Sequence, residues 1–567
     1  MFATCLCTLP DYHVSAPVQY RGNVYVSLFC VRETDFFMRT RAKAGGSMFQ
    51  LKNVTFIHRK DLRTILEDFS LVLNKGDRAV MIGEEGNGKS TLMKWIFDPV
   101  LVEDYIEYKG EKLINRELMA YLPQELPKKD EEKSVAAYFA EKDAFYEMTP
   151  KDLSMLAGEF HVEQEFFYRE QKMRTLSGGE RVKAQMMRIL MEKPTILLLD
   201  EPSNDIDIET LELMERIINE FNGAVLFISH DEVLIEHTAN RVIHFEQIRR
   251  KTKCRHTVAN MPYEQYVKER LNSFEKQEQI ANGERREKKK RDEKLRRMEQ
   301  SVGSRLDNIS RADRDHIGQL LKKKMKNVKA MEKRFEREDE QMTEIPESEE
   351  AIFFKLGDKN SAIPAGKRVL EYERPELWTA DGSRVLAKNI ELKIRGSEKM
   401  GLIGLNGCGK TTLLTGIAEE LLNREDIRAE YMPQNYEELL NLEMTPVDYL
   451  DKSGDKAERT RIRTYLGALK YTADEMDHPI AELSGGQKAK VLLLKLSMSG
   501  ANVLILDEPT RNFSPLSGPV IRRMLKEFPG AIISVSHDRK YLSEVCDVIY
   551  RLTENGIDQG DGSAVEK

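Results

Sequence analysis

No stretch of this 567-residue chain approaches the ~20 consecutive apolar residues that a membrane-spanning helix needs. The chain therefore cannot itself be a channel or permease, and a transport role would require a separate membrane subunit. Cysteine is scarce and scattered: Cys5, Cys7, Cys30, Cys254, Cys408 and Cys546 show no paired metal spacing, and Cys5-x-Cys7 lacks the second pair a zinc site would need. Such a set suits a reducing compartment. A large excess of one charge is also missing. The net charge of −7 nevertheless hides an uneven distribution. Local charge decides whether a polyanion can bind, so the acidic total does not exclude one.

The length predicts several domains of roughly 100 to 200 residues each. Between about Glu264 and Glu350 lies a polar helical run that turns strongly basic over Arg285 to Arg297 (RREKKKRDEKLRR). It breaks at Ser301-Val302-Gly303-Ser304, resumes through Leu320 to Arg337 and leaves on acidic residues from Glu344. This pattern predicts a charged helical hairpin, and a 30-residue helix of such a pair would reach about 45 Å. Residues 1–47 have little periodicity and precede a strand pattern that opens at Met48. Gly45-Gly46-Ser47-Met48 can be encoded as a ribosome-binding sequence followed by a start codon. Residues 1–47 are therefore expected to be a non-native or disordered extension. A targeting peptide fits poorly because Glu33 and Asp35 interrupt it and no clean apolar core follows a basic start.

The first chemistry-bearing segment follows a short apolar strand, Arg78 to Ile82. It is the loop Gly83-Glu84-Glu85-Gly86-Asn87-Gly88-Lys89-Ser90-Thr91, and a helical pattern begins behind it. The G-x-x-x-x-G-K-[ST] pattern between strand and helix is a phosphate loop. Its backbone N–H groups and the helix N-terminus hold phosphate, Lys89 reaches the β and γ phosphates, and the Ser90 hydroxyl binds Mg²⁺. A buried strand pattern, Thr195 to Leu199, ends in Asp200-Glu201, at the strand end where open α/β sheets bind ligand. Asp200 is placed to hold the metal through water and Glu201 to polarise attacking water. A further strand, Ala224 to Ile228, leads to Ser229-His230-Asp231, which puts His230 near the γ-phosphate.

Leu176-Ser177-Gly178-Gly179-Glu180 opens another helix, and with it the chain resembles the ATP-binding cassette superfamily. That resemblance implies that Ser177, Gly178 and Gly179 contact a nucleotide held on an opposing domain. It also makes Gln124 the glutamine that senses the metal and Asp207 the D-loop aspartate. Phe56 and His58 stand in the range of the aromatic that stacks on adenine.

The same order recurs from about Val369, so the chain is an internal repeat. Gly404, Asn406, Gly407, Gly409, Lys410, Thr411 and Thr412 form the second phosphate loop, and Gln434 is the second metal-sensing glutamine. Ser484, Gly485 and Gly486 belong to the second signature, Asp507 and Glu508 follow the strand Val503 to Leu506, and His537 lies in Ser536-His537-Asp538. Trp378 is the matching candidate for stacking on adenine. The expected fold is α/β: two P-loop cassettes, 48–250 and 351–567, joined by a charged α-helical hairpin, 251–350.

Two cassettes in one chain, without membrane spans and with a charged linker between them, resemble the ABC-F family of ribosome-associated ATPases. The family implies a head-to-tail sandwich of two ATP molecules. Site one would pair Lys89 with Ser484 to Gly486, and site two Lys410 with Ser177 to Gly179. It also implies cytoplasmic ribosome binding near the exit site, with no stable protein oligomer needed. The linker would reach past the P-site tRNA toward the peptidyl transferase centre. Arg285, Arg286, Lys288 to Arg291, Lys294, Arg296 and Arg297 would bind RNA phosphates, and Ser301 to Arg314 would form the tip. One departure is Ser514, which stands where the second D-loop would carry aspartate, so site one is expected to hydrolyse more slowly.

Similar loop-to-signature spacing in both halves leaves little room for the arm some housekeeping members insert in the first cassette. The chain also lacks a long basic tail. The missing arm and the fairly long linker favour a resistance-type protein, which frees the ribosome of drugs, over a general translation factor. An exporter ATPase has no use for the linker, and a DNA-repair cassette would carry far longer coiled coils or zinc-hook cysteines.

Overall fold

The computed structural model describes residues 48–560 apart from 61, 116, 205, 249–252, 308–313, 340–355, 358–360 and 380. The expectation for residues 1–47 and the acidic run from Glu344 lie outside the described residues. Two compact units emerge: one holds both cassettes (Met1–Asn260 and Ile352–Lys567), the other is Met261–Ala351.

In the first cassette, β1 (Phe49–His58), β2 (Thr64–Leu73), β3 (Arg78–Ile82), β4 (Ile106–Ile114), β5 (Met119–Leu122), β6 (Ile196–Asp200), β7 (Ala224–Ile228), β8 (Arg241–Ile248) and β9 (Lys253–Ala259) build two sheets. β2-β1-β4 is antiparallel, and β5-β6-β7-β3-β8 is parallel with β9 added antiparallel at the edge. Every residue of β6 and β7 is buried, which is why these strands read as continuous apolar runs rather than as an alternation. One core joins the two sheets and the helix Lys89–Phe97.

The second cassette repeats the plan. It uses β10 (Arg368–Trp378), β11 (Val385–Arg395), β12 (Lys399–Ile403), β13 (Ala429–Met432), β14 (Val503–Asp507), β15 (Ala531–Val535), β16 (Val548–Thr553) and β17 (Gly556–Gly560). The strand order β13-β14-β15-β12-β16-β17 matches the first sheet position for position.

β9 corrects the expected boundary: Lys253–Ala259 pairs along β8, so the first sheet continues past residue 250. A second correction concerns the hairpin. Its first helix, Tyr263–Asp307, runs unbroken through Ser301 to Ser304, and its second is Arg314–Asp339. A single glycine costs a helix only about 1 kcal/mol, too little to end one of 45 residues. At 1.5 Å per residue the first helix is about 68 Å long. Within this unit Arg291 stacks on Phe335 and donates to Asp339, 3.2 Å, while Lys288 lies 2.9 Å from Asp339, so the second helix folds back along the first. Lys288 and Arg291 are thereby engaged inside the hairpin, whereas Arg285, Arg286, Lys289, Lys290, Lys294, Arg296 and Arg297 are exposed.

Candidate nucleotide sites

Both phosphate loops bridge a buried parallel strand and a helix. Gly88 caps the helix Lys89–Phe97 with φ 79°, and a Cβ there would meet Ile65 Cγ2 at 2.3 Å, so only glycine fits. Lys89 Nζ folds back to donate to the carbonyls of Gly83, 2.7 Å, and Glu84, 2.9 Å. Lys410 makes the same bonds to Gly404, 2.9 Å, and Leu405, 3.0 Å, and burial lowers its pKa. Asn87 Nδ2 fixes the first loop to the Phe245 carbonyl, 2.9 Å.

The strand-end carboxylates face these loops. Ser90 Oγ donates to Asp200 Oδ1, 2.9 Å, and Tyr121 to Asp200 Oδ2, 3.0 Å; burial raises the Asp200 carboxyl to about 6. The Thr411 hydroxyl bonds Asp507, whose Oδ2 is buried and without a hydrogen-bond partner. A hydroxyl beside a single buried carboxylate, with one oxygen left over, fits an Mg²⁺ that keeps its waters and takes phosphate oxygens as its other ligands.

Glu201 and Glu508 both adopt φ 51°, a left-handed conformation that costs about 1–3 kcal/mol outside glycine. The turn it produces swings each carboxylate off its strand toward the histidine that follows the neighbouring strand. Glu201 receives Gln124 Nε2, 3.1 Å, and Asn204, and lies 3.3 Å from His230 Nε2. Burial raises its carboxyl, but His230 and Lys89 outweigh that and bring it to about 2. Glu508 is different. It accepts the His537 N–H at 3.3 Å and the Ser536 hydroxyl at 3.4 Å, while the His537 ring stays 3.9 Å away. Burial and the neighbouring Asp507 push it up to about 8; burial and Lys410 hold His537 down at about 4.

The signature serines are helix caps. Ser177 and Glu180 form a capping box at the helix Gly178–Met191, and Ser484 and Gln487 do so at Gly485–Ser499. Each signature meets the other cassette. A cavity of about 540 Å³ brings Asn406, Lys410, Thr411, Gln434, Glu508 and His537 together with Gly178 and Arg181. The opposite junction is nearly filled, with about 30 Å³ left among Glu84, Glu85, Ser484, Gly486, Lys490 and Ser514. Asp207, the first D-loop aspartate, caps the helix Ile208–Glu220 by accepting from Thr210 N, 2.9 Å.

Phe56 is fully buried and packs edge-on against Trp95, which rules it out as an adenine platform; His58 stays half-buried at the end of β1. Trp378 is 47% exposed, one residue before Thr379 of the large cavity. Sequence reasoning missed Asn204 on Glu201, Tyr121 on Asp200, and an ion cluster between the cassettes. In that cluster Arg522 grips Glu232 with 2.7 and 3.2 Å bonds, Arg539 reaches Glu215 and Asp231, and Lys540 reaches Glu232 and Glu236. Their partners stand some 290 to 324 positions apart, and no local spacing signals such a pairing.

No helix among the described residues is long and apolar enough to cross a membrane. The ABC transporter family model matches residues 66–204 and 387–511. Ribosome protection protein VmlR of Bacillus subtilis (strain 168) is 28% identical over 530 residues, spanning 90% of this chain and 87% of that protein. ATP-binding protein Uup of Buchnera aphidicola is 27% identical over 514 residues, 87% of this chain and 78% of that one. Among solved structures, archaeal ribosome recycling factor aABCE1, in complex with ribosomal stalk protein aP1, superposes with a TM-score of 0.53 at 16% identity, covering 89% of each chain, a likeness of fold.

Proposed function

From the premise that this chain is a tandem ATP-binding cassette ATPase homologous to the ABC-F proteins, we propose that it acts in the cytoplasm on the ribosome. It binds near the exit site, extends its basic hairpin toward the peptidyl transferase centre beside the P-site tRNA, and so protects ribosomes from antibiotics. One observation carries this reading: a chain similar over nine-tenths of its length to a ribosome protection protein holds, between its cassettes, two long helices with seven exposed basic residues in a thirteen-residue stretch. Such a stripe suits an RNA phosphate backbone.

In site two Lys410 leaves its loop carbonyls to take the β and γ phosphates of ATP, and Lys89 is the corresponding lysine of site one. Ser90 with Asp200 and Gln124, and Thr411 with Asp507 and Gln434, would hold Mg²⁺, which neutralises phosphate charge. Glu201 and Glu508 orient and polarise the attacking water, and His230 and His537 face the γ-phosphate. The His230 Nδ1 lies 2.6 Å from the Phe513 carbonyl of the other cassette, which accepts a hydrogen bond from its N–H, and Nε2 is directed at Glu201. Thus closure between cassettes sets the histidine's orientation. Ser177 to Gly179 contribute backbone N–H groups from the opposing side of site two, Ser484 to Gly486 stand in the same place at site one, and Trp378 offers a face to adenine.

The test is sedimentation of the Glu201→Gln, Glu508→Gln double variant with ribosomes in ATP. Stable co-sedimentation is expected. Its absence in the trapped state would overturn ribosome binding and direct the search to a membrane partner.

A further inference from the structure

The two phosphate loops differ in what they present to the opposing signature. Where the second loop carries Leu405 and Asn406, the first carries Glu84 and Glu85. Glu85 Oε2 accepts the backbone N–H of Gly486 at 2.8 Å, and Glu84 Oε1 pairs with Lys490 at 2.8 Å, with side chains only 22% and 12% exposed. The carboxylate also packs closely on Gly485, where a Cβ would stand 3.2 Å from Glu85 Oε2. An anion seated on a helix N-terminus, bonded to its N–H and paired with a lysine one turn on, is the arrangement a terminal phosphate would make there. At the other junction Leu405 is 57% exposed, Lys183 stands where Lys490 does, and the cavity remains open.

We propose that Glu84 and Glu85 are a built-in stand-in for the γ-phosphate: they occupy the second signature from the first phosphate loop, hold site one shut without nucleotide, and exclude nucleoside triphosphate from it. An N–H donates to one acceptor at a time, and two carboxylates in the loop repel the most highly charged phosphate of ATP. ATP therefore loads and turns over at site two. This rests on the reading that each signature serves the nucleotide of the opposing loop. It supplies a cause for unequal sites that lies in the phosphate loop, separate from Ser514 in the D-loop.

The experiment counts radiolabelled ATP bound per chain at saturation in the full-length Glu201→Gln, Glu508→Gln variant. Further forms of it carry Glu84→Leu with Glu85→Asn, the residues of the second loop, and this exchange combined with Lys410→Ala. The expected counts are one, two and one. Two ATP per chain with the native loop, or one after the exchange, would overturn the latch while leaving the sites themselves in place. None bound by any form would contradict the site assignment, and the latch with it. Lys490→Met leaves both phosphate loops intact and releases Glu84 from the other side. It is expected to raise ATP affinity at site one at least tenfold, and an unchanged affinity would count against the proposal.

Discussion

Replacing Arg522 with methionine tests how the cassettes hold each other. Arg522 is 3% exposed and Glu232 7%; two hydrogen bonds join them, and Arg522 Nε also donates to Glu544 at 2.9 Å. Removing one member of a buried pair costs about 3–5 kcal/mol, mostly because a charge is left buried without its partner. Lys540, 3.2 Å from Glu232, stays behind and moves the expectation to the lower end, about 3 kcal/mol. For domains of this size that corresponds to a fall of about 6–12 °C in the calorimetric transition. Methionine at both positions replaces the pair with apolar groups of similar length, and such exchanges are often neutral. The Glu232→Met, Arg522→Met double variant should therefore recover most of the loss, with a coupling energy of about 2 kcal/mol in a double-mutant cycle. A single variant that shifts the transition no further than an exposed substitution, or a double variant whose losses simply add, would refute the reasoning.

Four further outcomes are expected. Gly518→Ala would place a Cβ 2.0 Å from Glu232 Oε1, and scanning calorimetry should show a loss of about 1–3 kcal/mol, typical of overpacking. Glu508→Gln should lower steady-state ATP turnover at least about tenfold, while Glu201→Gln leaves most of it; equal residual rates would contradict unequal sites. Trp378→Ala should raise the KM for ATP roughly five- to hundredfold if the ring stacks on adenine, since one such stack is worth about 1–3 kcal/mol. Exchanging Lys289, Lys290 and Lys294 for glutamate should weaken ribosome binding and flatten its salt dependence by about 0.7–0.9 for each RNA phosphate no longer neutralised.

The features legible in the sequence are those whose physics is local. A buried strand, a glycine-rich turn and a capped helix follow one another within about fifteen residues around Lys89 and again around Lys410, and each fixes its neighbour. β9 escaped because an edge strand with one wet face alternates weakly, and Lys253–Ala259 sits just beyond a basic run. The helix through Ser301 to Ser304 escaped because punctuating residues are weak against a long helix already formed. Phe56 stood in range of the adenine by spacing, yet the pleat of β1 turned it into the core. Glu85 and Gly486 are 401 positions apart; the acidic pair was plain in the loop, but its partner exists only once the cassettes meet.

Ribosome protection itself is tested most directly by translation in vitro with purified ribosomes. A lincosamide, pleuromutilin, streptogramin A or phenicol would first arrest synthesis, and the protein would then be added with ATP. Synthesis should resume with the wild-type chain and stay arrested with the Lys289, Lys290, Lys294 exchange. No recovery in any of the four drug classes, despite firm ribosome binding, would contradict protection and leave a general translation factor.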